Sequence, residues 1–175
     1  EDYDLALRYL TILAESDDDN LNVRVKMGLI HVERKRFNEA ATVFREILKK
    51  NKDAERIRYY LASVYEEQKR YEESVFEFKK IPPTSTLFVD AVVHIGQLYK
   101  ALGSTDEGLE WADYALTQNS ELPQLHVFKA ALLDELKRVD EAVVSLEKAL
   151  AKFPTDERVL YYLGSLYDKL GKQEQ

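Results

Sequence analysis

Residues able to do chemistry are few in this 175-residue chain. It has no cysteine, which removes disulfides, thiolate metal sites and cysteine nucleophiles. Three histidines are present, His31, His94 and His126, and no two stand at i, i+4, the spacing that sets two imidazoles on one helix face around a metal. Asp90 lies four residues before His94, but two donors without a third do not hold an ion. The run Asp17-Asp18-Asp19-Asn20 gathers carboxylates, yet it lacks the alternating ligands, central glycine and terminal glutamate of a calcium loop. Placed just before Leu21, it reads as a turn and helix N-cap. Glu66-Glu67 and Glu72-Glu73 read as solvated helix faces. No glycine-rich phosphate loop, nucleophile elbow or triad occurs. No catalytic residue, metal site or cofactor is expected, and the chain is expected not to be an enzyme.

Composition narrows the class further. With 45% hydrophobic and 33% charged residues, six Gly and four Pro, there is material for a continuous core and little for a loop-rich fold. A formal net charge of -7 argues against binding a phosphate backbone, so no nucleic acid partner is expected. No apolar run approaches the ~18 residues that span a bilayer, so this segment is not expected to insert into a membrane.

The elements that carry these residues recur with a period of 34. Sliding the chain by that distance aligns Gly28, Ala62, Gly96, Ala130 and Gly164, all small. It also aligns Ala6, Ala40, Ser74, Gly108 and Ala142, small again. Four residues later comes a bulky column, Leu10, Phe44, Phe78 and Leu146, broken by Ala112. Tyr3, Phe37, Tyr71 and Val139 form another, broken by Thr105, and His31, Tyr65, Tyr99, Leu133 and Tyr167 a ring-rich one. Within each period the apolar residues recur at three and four, as in Val43, Phe44, Ile47 and Leu48, which is helical spacing. Short polar turns separate the helices, so each period is an antiparallel hairpin. Small residues let two helices cross closely. One hairpin cannot bury its own apolar faces, so neighbours must stack.

The motif Met27-Gly28, Ala40 and Phe44, repeated as Leu61-Ala62, Tyr65, Ser74 and Phe78, as Ile95-Gly96, Tyr99, Gly108 and Ala112, and as Ala130, Leu133, Ala142, Leu146 and Pro154, resembles the tetratricopeptide repeat. Leu163-Gly164-Ser165-Leu166-Tyr167 begins one more copy. The fourth copy departs from the pattern at Lys129, which stands where leucine is usual. The resemblance implies an all-α fold, a right-handed α-solenoid of stacked antiparallel hairpins. Full repeats are expected at 22–55, 56–89, 90–123 and 124–157. Residues 1–21 hold the second helix of a preceding repeat and 158–175 the first helix of a truncated one, so the chain reads as a segment of a longer array. Helices are expected at 2–15, 21–34, 37–50, 54–68, 71–81, 86–102, 105–118, 122–137, 139–152 and 156–170.

Two places break the regularity. Pro82-Pro83 must stop the preceding helix about three residues sooner than the repeat would, with Thr84, Ser85 or Thr86 capping the next helix. The Ile81-Pro82-Pro83 joint resembles those of bacterial envelope-associated members of the family, which implies a periplasmic or envelope setting, with the cytoplasm as alternative. In the third hairpin Thr105, Gly108 and Ala112 replace larger residues, and Trp111 is expected to rotate into the gap, the alternative being a ligand-facing tryptophan.

In the tetratricopeptide family the first helix of each hairpin lines the groove that holds peptides. The resemblance therefore places Val25, Tyr59, Val93, Val127 and Tyr161 in one groove column and Leu29, Ser63, Gln97 and Ala131 in the next. Arg56 and Arg158 stand one turn earlier. Near the helix ends, Val32-Glu33, Glu66-Glu67, Lys100-Ala101, Asp134-Glu135 and Asp168-Lys169 give a mainly acidic margin. Lacking the basic columns that hold a C-terminal carboxylate in chaperone-binding members, the groove is expected to take an apolar or mildly basic protein or peptide, with Tyr59 and Tyr161 as anchors. The expected function is a protein-interaction scaffold or adaptor. The alternatives are a regulatory or targeting module of a larger enzyme and a self-assembly module joined through the open ends.

Overall fold

The structure, a computed structural model, describes residues 2–17 and 20–171. The described residues form ten α-helices and no strand: α1 (Tyr3–Ser16), α2 (Leu21–Glu33), α3 (Phe37–Lys50), α4 (Glu55–Glu67), α5 (Tyr71–Phe78), α6 (Phe88–Ala101), α7 (Thr105–Gln118), α8 (Pro123–Glu135), α9 (Val139–Lys152) and α10 (Glu157–Lys169). They fall into two compact units, Glu1–Ile81 and Pro82–Gln175. In the first, α2 pairs with α3 and α4 with α5, α3 stacks on α4, and α1 lies on α2. In the second, α6 pairs with α7 and α8 with α9, α7 stacks on α8 and α9 on α10, and α8 also touches α6 and α10. The fold is all-α, built of helical hairpins.

Every helix lies within two residues of its expected bounds except α5, which stops at Phe78 rather than 81. Pro82 has no N–H to give the Phe78 carbonyl, and its ring drives Ile81 out of helical conformation. The chain tightens instead, with the Ile81 N–H donating to the Phe78 carbonyl at 3.0 Å and the Ile81 side chain buried. Of the three hydroxyls expected to cap α6, the Ser85 Oγ receives an N–H, from Leu87 at 3.2 Å, while Leu87 itself takes the cap position without a side-chain bond. Asn20 caps α2 by accepting from the Val23 N–H at 3.2 Å, and Asp17 ends α1. Asp18 and Asp19 lie outside the described residues.

Hairpin packing turns on the small columns. A Cβ added to Gly28 would sit 2.4 Å from Phe44 Cε1, so the ring occupies the space a side chain would take. Ala40, Ala62, Ala130 and Ala142 are fully buried. Ser74 in the same column is also buried and donates its hydroxyl to the Ala62 carbonyl at 2.8 Å, which satisfies that hydroxyl inside the crossing. In the hairpin of α6 and α7 the bulky column carries Ala112, and the ring over Gly96 comes from another helix: Phe128 Cζ lies 2.1 Å from where a Cβ would be. This corrects the expectation for Trp111. That indole packs on Phe88, Val92, Ala115 and Leu125, with its ring 4.7 Å from Tyr114. The space over Gly96 is filled by Phe128, the ring that α8 brings to it.

The turn after each first helix has one conformation. Lys35, Lys69, Gly103, Lys137 and Gly171, spaced by the repeat, all have positive φ between 56° and 75°. The following N–H groups of Arg36, Arg70, Ser104 and Arg138 reach back five residues to the carbonyls of His31, Tyr65, Tyr99 and Leu133 at 2.8–2.9 Å. This is the left-handed helix ending that satisfies terminal carbonyls. Three lysines hold it against a steric cost that glycine does not carry.

His31 supplies a pH dependence. Its Nδ1 is buried without a hydrogen-bond partner, and burial holds its pKa below the ordinary histidine value, with Glu39 opposing and Arg36 and Arg34 reinforcing the shift. The unfolded chain therefore binds a proton more readily than the folded one, so stability from this group is present above the unfolded pKa and declines as pH falls through ~6.5.

Four comparisons check these assignments by urea denaturation. Gly28→Ala should lower the midpoint, by the equivalent of about 1–3 kcal/mol, since Phe44 is fully buried and cannot withdraw. Gly164→Ala should raise it by about 0.5–1 kcal/mol, because a Cβ there meets nothing within 4 Å. Lys69→Gly and Lys137→Gly should each raise it by about 0.5–1 kcal/mol, and a fall would show that the left-handed turns are unstrained. Between pH 7 and pH 5 the intact chain should lose more stability than His31→Leu, and equal losses would remove His31 from the account.

Candidate functional site

The groove residues inferred from the repeat divide between the two units. In the first, Val25 and Leu29 pack against the cluster of Ala40, Phe44, Ile57 and Leu61. The Tyr59 ring meets Phe78 edge-on, with centroids 5.2 Å apart at 75°. Ser63 is half-buried and Arg56 exposed. Much of the apolar surface that the pattern assigns to a groove here is spent on the hairpin core, Tyr59 included.

The second unit differs. Three first helices, α6, α8 and α10, lie side by side. Val93, Val127 and Tyr161 occupy the same position on each, and Gln97, Ala131 and Ser165 the position one turn on. Val93, Val127 and Ala131 are half-buried, Val127 against the core, while Gln97 is exposed. Tyr161 is 80% exposed, the most exposed large apolar side chain among the described residues. Arg158 is tied to the N-cap of α10: its Nη2 lies 2.8 Å from Asp156 Oδ2, and Asp156 Oδ1 accepts the Arg158 and Val159 N–H groups. The Arg158 bond, with those backbone N–H groups, holds the Asp156 carboxyl below the usual range. Arg158 thus serves the helix start before it serves any ligand.

The acidic margin changes character. Lys100 Nζ stands 2.9 Å from Glu135 Oε1, and Lys169 Nζ 2.5 Å from Asp134 Oδ1, so consecutive first helices are joined by ion pairs one residue beyond the repeat period. These exposed pairs contribute little stability. They cancel charge along the margin of the second unit, which the sequence columns read singly could not show.

Open cavities lie elsewhere. One of about 540 Å³ is lined by Leu21, Arg24, Glu46 and Lys49. Another of about 460 Å³ lies among Leu109, Asp113, Lys129 and Arg138, where Lys129 Nζ is 2.6 Å from Asp113. Their linings mix apolar with charged side chains, of which Arg24 pairs with Glu46 and Lys129 with Asp113. The three histidines sit on α2, α6 and α8, and no group of three His, Cys, Asp or Glu that could hold a metal occurs among the described residues. None of the described helices is long and apolar enough to cross a membrane.

The tetratricopeptide repeat family model matches residues 25–81. No curated protein matches the chain in sequence. Among solved structures, the chain is similar to the crystal structure of MamA, with 19% identity, 87% of this chain and 90% of that one covered, and a TM-score of 0.66. It is similar to a tetratricopeptide repeat protein from Parabacteroides merdae at 19% identity, covering 98% and 68%, with a TM-score of 0.67. A third is YrrB, described as a TPR protein with an unusual peptide-binding site, at 16% identity, covering 94% and 85%, with a TM-score of 0.60.

Proposed function

Since residues 25–81 carry tetratricopeptide repeats and the chain has the fold of such proteins, we propose that it is a protein-interaction scaffold that holds an apolar peptide segment, extended or helical, across α6, α8 and α10. The single observation that carries this is the exposed Tyr161, set in register with Val127 and Val93 on three touching helices. A phenol ring offers a large apolar face at low entropic cost and a hydroxyl for a backbone group of the partner, which is why such residues dominate interface energetics. A helix face of ordinary solvated type would carry a charge there. Valine at the two preceding positions extends the apolar strip, and the Lys100–Glu135 and Lys169–Asp134 pairs leave its edge without strong charge.

Peptides selected from a displayed library against the intact chain should be enriched in apolar residues at helical or alternate spacing. Tyr161→Ala should weaken the selected peptide about 10-fold or more by fluorescence anisotropy. Phe76→Ala, which removes another exposed ring, from α5, should leave it unchanged. Selection of acidic peptides whose binding is lost with Arg56→Ala would count against this assignment.

A further inference from the structure

We propose that the outer face of α7 docks a basic segment of a partner protein, taking arginine side chains against Tyr114, Glu107 and Glu110. This face is separate from the strip on α6, α8 and α10, and the inference does not depend on that strip holding a peptide.

Helix α7 carries four acidic residues, Asp106, Glu107, Glu110 and Asp113, and no basic one. At roughly 3.6 residues per turn, Glu107, Glu110, Trp111, Tyr114 and Gln118 share an arc of about 100°. Asp106 and Asp113 lie beyond that arc and are drawn to neighbouring cations, Asp113 to Lys129 at 2.6 Å and Asp106 to Arg138 at 4.0 Å. Glu107 and Glu110 are exposed, and neither has an ion-pair partner among the described residues. Tyr114 is 43% exposed, with its ring 4.7 Å from that of Trp111 and tilted by 32°.

The other hairpins show what has been withdrawn. The position of Glu107 carries Glu73 in α5 and Glu141 in α9, and the arginine of the preceding turn holds each one. Arg70 Nε lies 2.6 Å from Glu73 Oε2, and Arg138 Nε 2.7 Å from Glu141 Oε1. The turn between α6 and α7 has Ser104 in that place. Across the seam, α2 and α4 bring Arg24 and Arg58 to glutamates of α3 and α5, whereas α6 brings Val92. Arginine is thus absent from both flanks of α7, while Glu107, Glu110 and the Tyr114 ring stand open.

Charge complementarity selects the occupant. Carboxylates beside an exposed ring suit a guanidinium, which stacks on aromatic faces, forks onto carboxylates and gives up its water readily. The chain joins the same groups elsewhere: the Arg70 guanidinium lies 4.4 Å from the centre of the Tyr65 ring while it pairs with Glu73. A lysine ammonium is more strongly hydrated and cannot fork, so arginine is the residue this face prefers.

Trp111 is the sole tryptophan of the chain, so its emission reports from this face. Titrating the intact chain with a capped tetra-arginine peptide should change that emission, and tetra-citrulline, of similar shape without the charge, should not. In anisotropy with the labelled arginine peptide, Tyr114→Ala should weaken binding at least about threefold. Glu107→Gln with Glu110→Gln should weaken it about fivefold or more. Glu15→Gln with Glu72→Gln, which removes the same charge from exposed positions in the first unit, should bind like the intact chain. Tetra-lysine should bind at least about threefold more weakly than tetra-arginine. Unchanged Trp111 emission overturns the proposal, as does equal binding of the lysine and arginine peptides. Equal weakening by the two glutamate pairs also overturns it, since the peptide would then be drawn by the net charge alone. So does Tyr114→Ala binding as well as the intact chain.

Discussion

The structure depends on how closely two helices of a hairpin may cross. Between them there is room for a glycine with a ring above it, or for an alanine beside a slightly withdrawn neighbour, but not for two full side chains. Gly28 under Phe44 is the tight limit, and the buried Ala62 and Ala130 are the relaxed form. The crossings are filled by different contributors, as close packing requires. Around Gly96 the filling is borrowed: Ala112 shrinks and Phe128 arrives from α8. That loan ties α6 to α8 directly and makes the second unit less a row of separate hairpins than the repeat pattern suggests.

What could be read in the sequence follows from the same crossing. A fixed small column at a fixed period allows only one register, so ten helices and nearly all their ends were legible, and with them the fold. Three things were not. The end of α5 was placed late because the stop was counted from the proline itself rather than from the carbonyl it fails to satisfy. The left-handed turns were missed although Gly103 and Gly171 mark their column, since lysine at the other three positions hides the signal. For the candidate site, the columns told which face Tyr59 and Tyr161 share but not that Phe78 stands against one of them. Periodicity reports direction; occupancy depends on neighbours half a repeat away.

The seams between first and second helices show a second freedom. Arg58 and Glu77 are both mostly buried, and such a pair adds little net stability once desolvation is counted. Its worth lies in choice, because a wrong partner helix would leave one ion stranded. An apolar seam such as Val92 with Trp111 gives more cohesion and less discrimination. The first unit uses the charged kind in both of its hairpins, and the hairpin of α6 and α7 uses the apolar kind.

The lysines in the left-handed turns make the helix ends sensitive to salt. Each lies just past the carboxyl end of a first helix, where the backbone dipole favours positive charge, an attraction worth a few tenths of a kcal/mol that glycine forgoes. Lysine at 35, 69 and 137 therefore trades torsional strain for electrostatic attraction. The attraction is screened within about 10 Å at 0.1 M salt and the strain is not. Rising ionic strength thus removes one side of the trade at three turns at once, all of them at places where first helices end.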